Sequence, residues 1–171
     1  ALVDQSRGDF ETAIEVASDV LNIRGRVLPG STQSVQLRAV MEDGSELFGE
    51  TTIAESSKHV RRIYLDPETP AAHPEAIAAI AQADLICIGP GSVFTSVIPN
   101  LLVPEIAKAI EASPAKKVYI CNVMTQKGES DAFSASEHIA AIQASTDRKL
   151  FDYVLLNTGV PSPTALERYR E

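Results

Sequence analysis

The sequence predicts an α/β fold built on a mainly parallel sheet, with a β-hairpin-containing insert. Three observations predict it. From Pro74 onward, short apolar runs alternate with segments of helical spacing, the rhythm of strands that helical crossovers return in one direction. Proline opens two of those helical segments, at Pro74 and Pro104, where its missing N–H is no loss. Upstream, residues 25–66 change to period-two alternation around Glu42-Asp43-Gly44-Ser45, and Asp-Gly is a strong hairpin signal.

The elements follow in order. Phe10–Ile23 places Phe10, Ile14, Ala17, Val20 and Leu21 on one helical face, with Asp9 as a cap. Ser34–Met41 and Glu46–Thr52 read as the hairpin strands, and Val60–Leu65 as a third strand. Pro74–Ala83 reads as a helix, and Leu85–Ile88 as a short strand buried on both faces. Pro104–Ala112 is the next helix, Lys117–Cys121 a strand, Ser136–Ala144 a helix and Tyr153–Leu156 a strand. A last helix begins at Pro163. No internal repeat, coiled coil or low-complexity linker interrupts the chain.

Composition narrows the function classes. The chain has 171 residues, 44% hydrophobic and 22% charged, enough for one ordinary domain with a core of its own. Its formal net charge of -8 disfavours nucleic acid and anionic lipid as general partners. No run is long and apolar enough to span a bilayer, and no basic-then-apolar segment opens the chain. Cys87 and Cys121 both lie in apolar runs and read as buried free thiols of a reducing compartment. A cytoplasmic protein is expected.

In a parallel sheet all strands end along one edge, where open α/β folds bind ligands near a topological switch point. Three small polar loops reach that edge: Gly89-Pro90-Gly91-Ser92, Asn122-Val123-Met124-Thr125-Gln126 and Asn157-Thr158-Gly159. Gly91 lets the backbone approach an anion or take a positive φ. Ser92, Thr95 and Ser96 add hydroxyls beside the next helical turn, whose free N–H groups favour a phosphate. The other reading is a plain Gly-Pro-Gly turn followed by Thr95 as a helix cap, and the loop alone leaves both open. Asn122 stands where a dinucleotide fold often places an acid for the ribose hydroxyls. With no Gly-x-Gly-x-x-Gly in the chain, a nicotinamide enzyme is disfavoured.

Other chemistry has little support. His59, His73 and His138 lack metal-ligand spacing and read as surface or capping residues. The cysteines form no Cys-x-x-Cys pair and read as inert core thiols. Glu129 and Asp131 could hold magnesium, but read first as a solvated acidic loop.

The segments GPGSVFTSVIPNLLVPEIAKAI and KVYICNVMTQKGESD resemble the bacterial YvcK-type proteins, the gluconeogenesis factors. More distantly they are similar to the CofD-type phospholactate transferases. The likeness extends through IRGRVLPGSTQSVQLRAVMEDGSELFGE, RRIYLDPETPAAHPEAIAAIAQADLI and FDYVLLNTGVPSP. The transferase pattern has Pro-Ser-Asn-Pro where Pro90-Gly91-Ser92-Val93 stands, and lacks the Asn122–Gln126 run, so the YvcK-type branch is favoured.

The resemblance implies a Rossmann-like three-layer fold that binds a nucleotide or UDP-sugar. Residues 1–171 would be the C-terminal part of a single such domain, with 25–66 its β-rich portion. The family's Gly-Gly-Gly-Thr-Gly and Asp-Gly-Gly-Ser segments are not among these residues. The implied role is a regulator, without a cofactor, linking carbon metabolism to cell-wall precursor supply and cell shape. The candidate ligand-binding residues are Gly89, Gly91, Ser92, Thr95, Ser96, Asn122 and Thr125. Under the alternative, a transferase uses a guanosine nucleotide donor with magnesium. A homodimer paired through the hairpin strands is a third possibility.

Overall fold

The computed structural model describes residues 10–20, 22 and 24–167. Helix α1 spans Phe10–Val20. The expected cap Asp9, and Leu21 and Ile23 at the other end, lie outside the described residues.

The β-rich portion forms an antiparallel sheet in the order β2-β1-β3, from β1 (Gln36–Met41), β2 (Glu46–Phe48) and β3 (Val60–Asp66). Asp43 builds the hairpin turn: its Oδ1 accepts from the Ser45 N–H at 2.9 Å and Lys58 Nζ lies 2.7 Å from Oδ2. Hydrogen bonds from Lys58 and Ser45 hold its carboxyl well below the usual range. The second hairpin strand is shorter than expected. Gly49 takes φ +84°, which a β-strand cannot continue through, and residues 50–52 enter α2 (Glu50–Ala54), which seats Ile53 fully in the core.

Helix α3 (Pro74–Gln82) leads to a parallel sheet in the order β4-β5-β6, from β4 (Leu85–Ile88), β5 (Lys116–Ile120) and β6 (Tyr153–Leu155). His73 caps α3, its Nδ1 accepting from the Glu75 N–H at 3.1 Å. Between β4 and β5 come a π-helical turn (Val93–Val97), α4 (Ile98–Leu101) and α5 (Pro104–Ala112). Between β5 and β6 lies α6 (Ala135–Thr146), and α7 (Pro163–Glu167) follows. No single described helix is long and apolar enough to cross a membrane. The apolar run at 93–112 is bent by 74° between α4 and α5 and keeps Ile98, Leu101, Ile106 and Ile110 in the core.

The α/β class is therefore as expected, but β4 is not buried on both faces. The order β4-β5-β6 advances one way, and right-handed crossovers of one direction place their helices on one face. Ile88 and Tyr119 face that layer and are buried, whereas Leu85 (55% exposed), Cys87, Tyr153 and Leu155 face outward. Cys87 is thus an exposed thiol, and only Cys121 is buried as expected. The same one-way order leaves no topological switch point among the described strands. One core joins both sheets: Met41, Ile53 and Ile63 of the antiparallel half pack with Ile98, Tyr119 and Ile142.

Candidate functional site

Strands β4, β5 and β6 end in register, Ile88 beside Tyr119 and Ile120 beside Leu155. The three polar loops therefore leave one edge together. Gly89 has φ +84°, and a Cβ there would lie 2.8 Å from the Ile120 carbonyl oxygen. Only glycine fits so close to the neighbouring strand. The positive φ belongs to Gly89 rather than to Gly91, where a Cβ would make ordinary contact with Ser96.

The first two loops are fastened to each other. The Gly91 N–H donates to Asn122 Oδ1 at 2.9 Å, and Asn122 Nδ2 donates to the Gly91 carbonyl at 2.8 Å. The Ser92 hydroxyl donates to Gln126 Oε1. Thr95, 6% exposed, donates its hydroxyl to Glu129 Oε1 at 2.7 Å, and the Phe94 N–H reaches Glu129 Oε2 at 3.3 Å. A buried carboxylate of the chain itself therefore meets the amino end of the π-helical turn. The Ser96 and Val97 N–H groups both go to the Ser92 carbonyl at 2.9 Å.

The expected residues are thus distributed. Gly91, Ser92, Thr95 and Asn122 are bonded into the joint between the loops. Gly89 sets their approach, and Ser96 is exposed on the turn. Asn122 and Thr125 line a cavity of about 250 Å³ between the β5 and β6 ends, together with Asn157, Thr158 and His138. Thr95 lines a different hollow, of about 600 Å³, beside Asn100 and the segment before β1.

Several residues have roles the sequence did not announce. Glu129 is 2% exposed, so the loop after Gln126 is not a solvated acidic one, although Asp131 is exposed. Its partners lie 34 and 35 residues upstream, a distance no local pattern reports. His138 is 2% exposed and neither a surface nor a capping residue; it sits in the first turn of α6. Its apolar neighbours Phe133 and Ile139 were the available signal. Tyr119 is fully buried; burial first, and then the adjacent Cys121 thiol, push its hydroxyl up to about 12. It stays protonated at neutral pH and offers no base.

Taken together, the edge presents neutral polar groups, backbone and hydroxyls. That chemistry recognises a ligand by hydrogen bonds. Among the described residues, no three of His, Cys, Asp and Glu come together to hold a metal ion. Glu129 is bound to Thr95 and Phe94, and Asp131 Oδ2 accepts from the Gly128 N–H at 2.6 Å. This donor set does not fit a protein-held magnesium ion.

Residues 1–171 match the family model described as 2-phospho-L-lactate transferase CofD. The chain is 46% identical over 162 residues to the gluconeogenesis factor of Halalkalibacterium halodurans, covering 95% of this chain and 50% of the relative. It is 48% identical over 151 residues to the gluconeogenesis factor of Bacillus subtilis, covering 88% and 48% respectively. A crystal structure of a upf0052-family protein from Bacillus halodurans superposes with a TM-score of 0.88 at 45% identity, covering 98% of this chain and 54% of that one. The chain spans about half the length of the curated relatives it matches.

Proposed function

The chain belongs to the CofD family, and on that premise we propose that it forms part of a cytosolic regulatory protein of the gluconeogenesis-factor kind that binds a UDP-sugar. In this reading ligand occupancy links carbon metabolism to cell-wall precursor supply and cell shape. The observation that carries it is the cavity at the carboxyl edge of the parallel sheet, lined by Asn122, Thr125, Asn157 and Thr158. Ligands of parallel α/β folds settle at that edge, and uncharged amides and hydroxyls suit the donors and acceptors of a nucleotide sugar. The relatives named gluconeogenesis factors support the same reading.

The residues divide the work. Asn122 and Thr125 line the ligand's cavity, while Gly89, Gly91, Ser92 and Thr95 hold the loop beside it and Ser96 offers an exposed hydroxyl. Residues 1–171 count as the C-terminal part of one domain in this reading, since both sheets share a core.

A phospholactate transferase using a guanosine nucleotide is compatible with the family description, but nothing in the site favours it over the regulator. Calorimetric titration of the full-length protein with UDP-N-acetylglucosamine, UDP-glucose and GDP, with and without magnesium, tests the proposal. UDP-selective binding without turnover is expected. A magnesium-dependent preference for GDP, with product formed from a deazaflavin acceptor, would replace the regulator by the transferase. Light scattering on the same samples tests whether the protein is a homodimer.

A further inference from the structure

We infer that the hollow beside β3 is a second binding site, one that takes a small phosphorylated polyol of the sugar-phosphate kind, with Arg61 and Arg62 holding the phosphate. The site lies on the antiparallel half, and the inference goes beyond the UDP-sugar reading without resting on it.

An irregularity in β3 brings two cations to one place. Neighbouring residues of a regular strand point to opposite faces. In β3, Arg62 stands opposite Val40 and Val60 opposite Met41, so Arg61 is an extra residue with no partner on β1. Such a bulge re-aims side chains, and Arg61 and Arg62 both line one hollow of about 480 Å³. β3 is an outer strand of its sheet and both arginines are exposed, so a ligand reaches them directly from solvent. Neither guanidinium is used by the fold. Arg26, Arg38 and Arg148 are paired with the carboxylates of Glu75, Asp66 and Glu111. Arg61 and Arg62 form no ion pair and no side-chain hydrogen bond among the described residues, although the chain carries a net charge of -8 and Glu68 lines the same hollow. Adjacent charges of one sign repel each other, and a shared anion removes that repulsion. The guanidinium fork matches phosphate oxygens in particular.

The rest of the lining narrows the class. The volume falls within the roughly 300–1,000 Å³ of sites that take small molecules. Leu65 and Leu102 give the hollow an apolar part. Its remaining polar groups are acceptors: the Glu68 carboxylate, the Ser145 hydroxyl and the last turn of α6, which Ala144 and Ser145 bring to the hollow. The last carbonyls of a helix have no partner within it, and the Asp147 N–H satisfies that of Gln143. Acceptors call for hydroxyl donors and repel a second phosphate. A single phosphate on a body rich in hydroxyls therefore satisfies both parts of the lining, whereas inorganic phosphate uses the arginines alone.

The test titrates the full-length protein calorimetrically with glucose-6-phosphate, inorganic phosphate, glucose, hexaglutamate and UDP-N-acetylglucosamine. Wild type is compared with Arg61→Gln, Arg62→Gln, Arg62→Lys and Ala144→Glu. Ala144 is exposed, so Ala144→Glu adds a negative charge to the hollow from the helix side and leaves β3 as it is. Wild type is expected to bind glucose-6-phosphate more tightly than inorganic phosphate, and glucose not at all. Arg61→Gln, Arg62→Gln and Ala144→Glu should each lose about tenfold in glucose-6-phosphate affinity. Arg62→Lys should recover part of that loss, since an ammonium keeps the charge without the fork. Affinity for UDP-N-acetylglucosamine should stay as in wild type throughout. Binding of neither phosphate probe by wild type overturns the inference, as does unchanged affinity in all the variants. Equal affinity for inorganic phosphate and glucose-6-phosphate overturns the polyol. Binding of hexaglutamate alone overturns the small molecule in favour of an acidic protein segment. Loss of UDP-N-acetylglucosamine in the arginine variants overturns the separateness of the site. If an arginine variant fails to fold, Ala144→Glu decides by the same measure.

Discussion

The loop at residues 89–95 and the cavity between the β5 and β6 ends share one sheet edge but use their polar groups differently. In the loop, the Gly91 backbone, the Ser92 and Thr95 hydroxyls and the Asn122 amide are bonded to groups of the protein itself. The His138 ring lines the cavity, and its Nε2 is buried with no hydrogen-bond partner. Small polar residues after a strand therefore do not identify a ligand grip by type. What matters is how much hydrogen-bonding capacity folding has left open, because only that adds a new bond on binding.

Variants can break that contrast or sharpen it, measured as urea unfolding of the full-length protein alongside ligand titration. The largest effect is expected from Gly89→Ala. The new Cβ meets the Ile120 carbonyl at 2.8 Å with φ at +84°, a combination that should destabilise by about 2–4 kcal/mol. Next, Glu129→Ala leaves the Thr95 hydroxyl and Phe94 N–H without their carboxylate. Roughly 2–3 kcal/mol of stability should be lost, as for buried groups stripped of a partner. Asn122→Ala opens both bonds to Gly91, for about 1–3 kcal/mol, and is the sharpest variant because Asn122 also lines the cavity. If these three leave stability untouched and abolish binding, the loop is the ligand grip after all and the contrast fails.

The smallest effect is one of pH. Hydrogen bonds from the Ser134 side chain, then its backbone, hold the Glu137 carboxyl below its ordinary value. A carboxyl lowered on folding stabilises above its unfolded pKa, and that stabilisation is lost as pH falls through the folded one. The gap between wild type and Ser134→Ala should therefore be widest at neutral pH and narrow below the usual carboxylate range, where only the cap that the Ser134 hydroxyl gives the Glu137 N–H remains. Unfolding curves at stepped pH would show this, and parallel curves down to acid would remove Glu137 from the account.

Much of the fold was legible because its signals are local. Pro74 and Pro104 mark the starts of α3 and α5, and Asp43-Gly44 marks the hairpin. What was not legible depends on distant pairs or on which face is covered. Leu85 and Cys87 are as apolar as Ile86 and Ile88, and only the strand order separates exposed from buried. Glu129 looks like any loop acid until folding brings Thr95 to it. The polar loops gather at one edge as their positions after strands implied, while the division of their atoms between internal bonds and the cavity required coordinates.

The outward face of the parallel sheet also carries a chemical address. Cys87 stands exposed on β4 while Cys121, just past the end of β5, is buried. A thiol reagent therefore meets two unequal targets, and the speed with which Cys87 is alkylated measures how far that face is shielded in any longer or assembled form of the molecule.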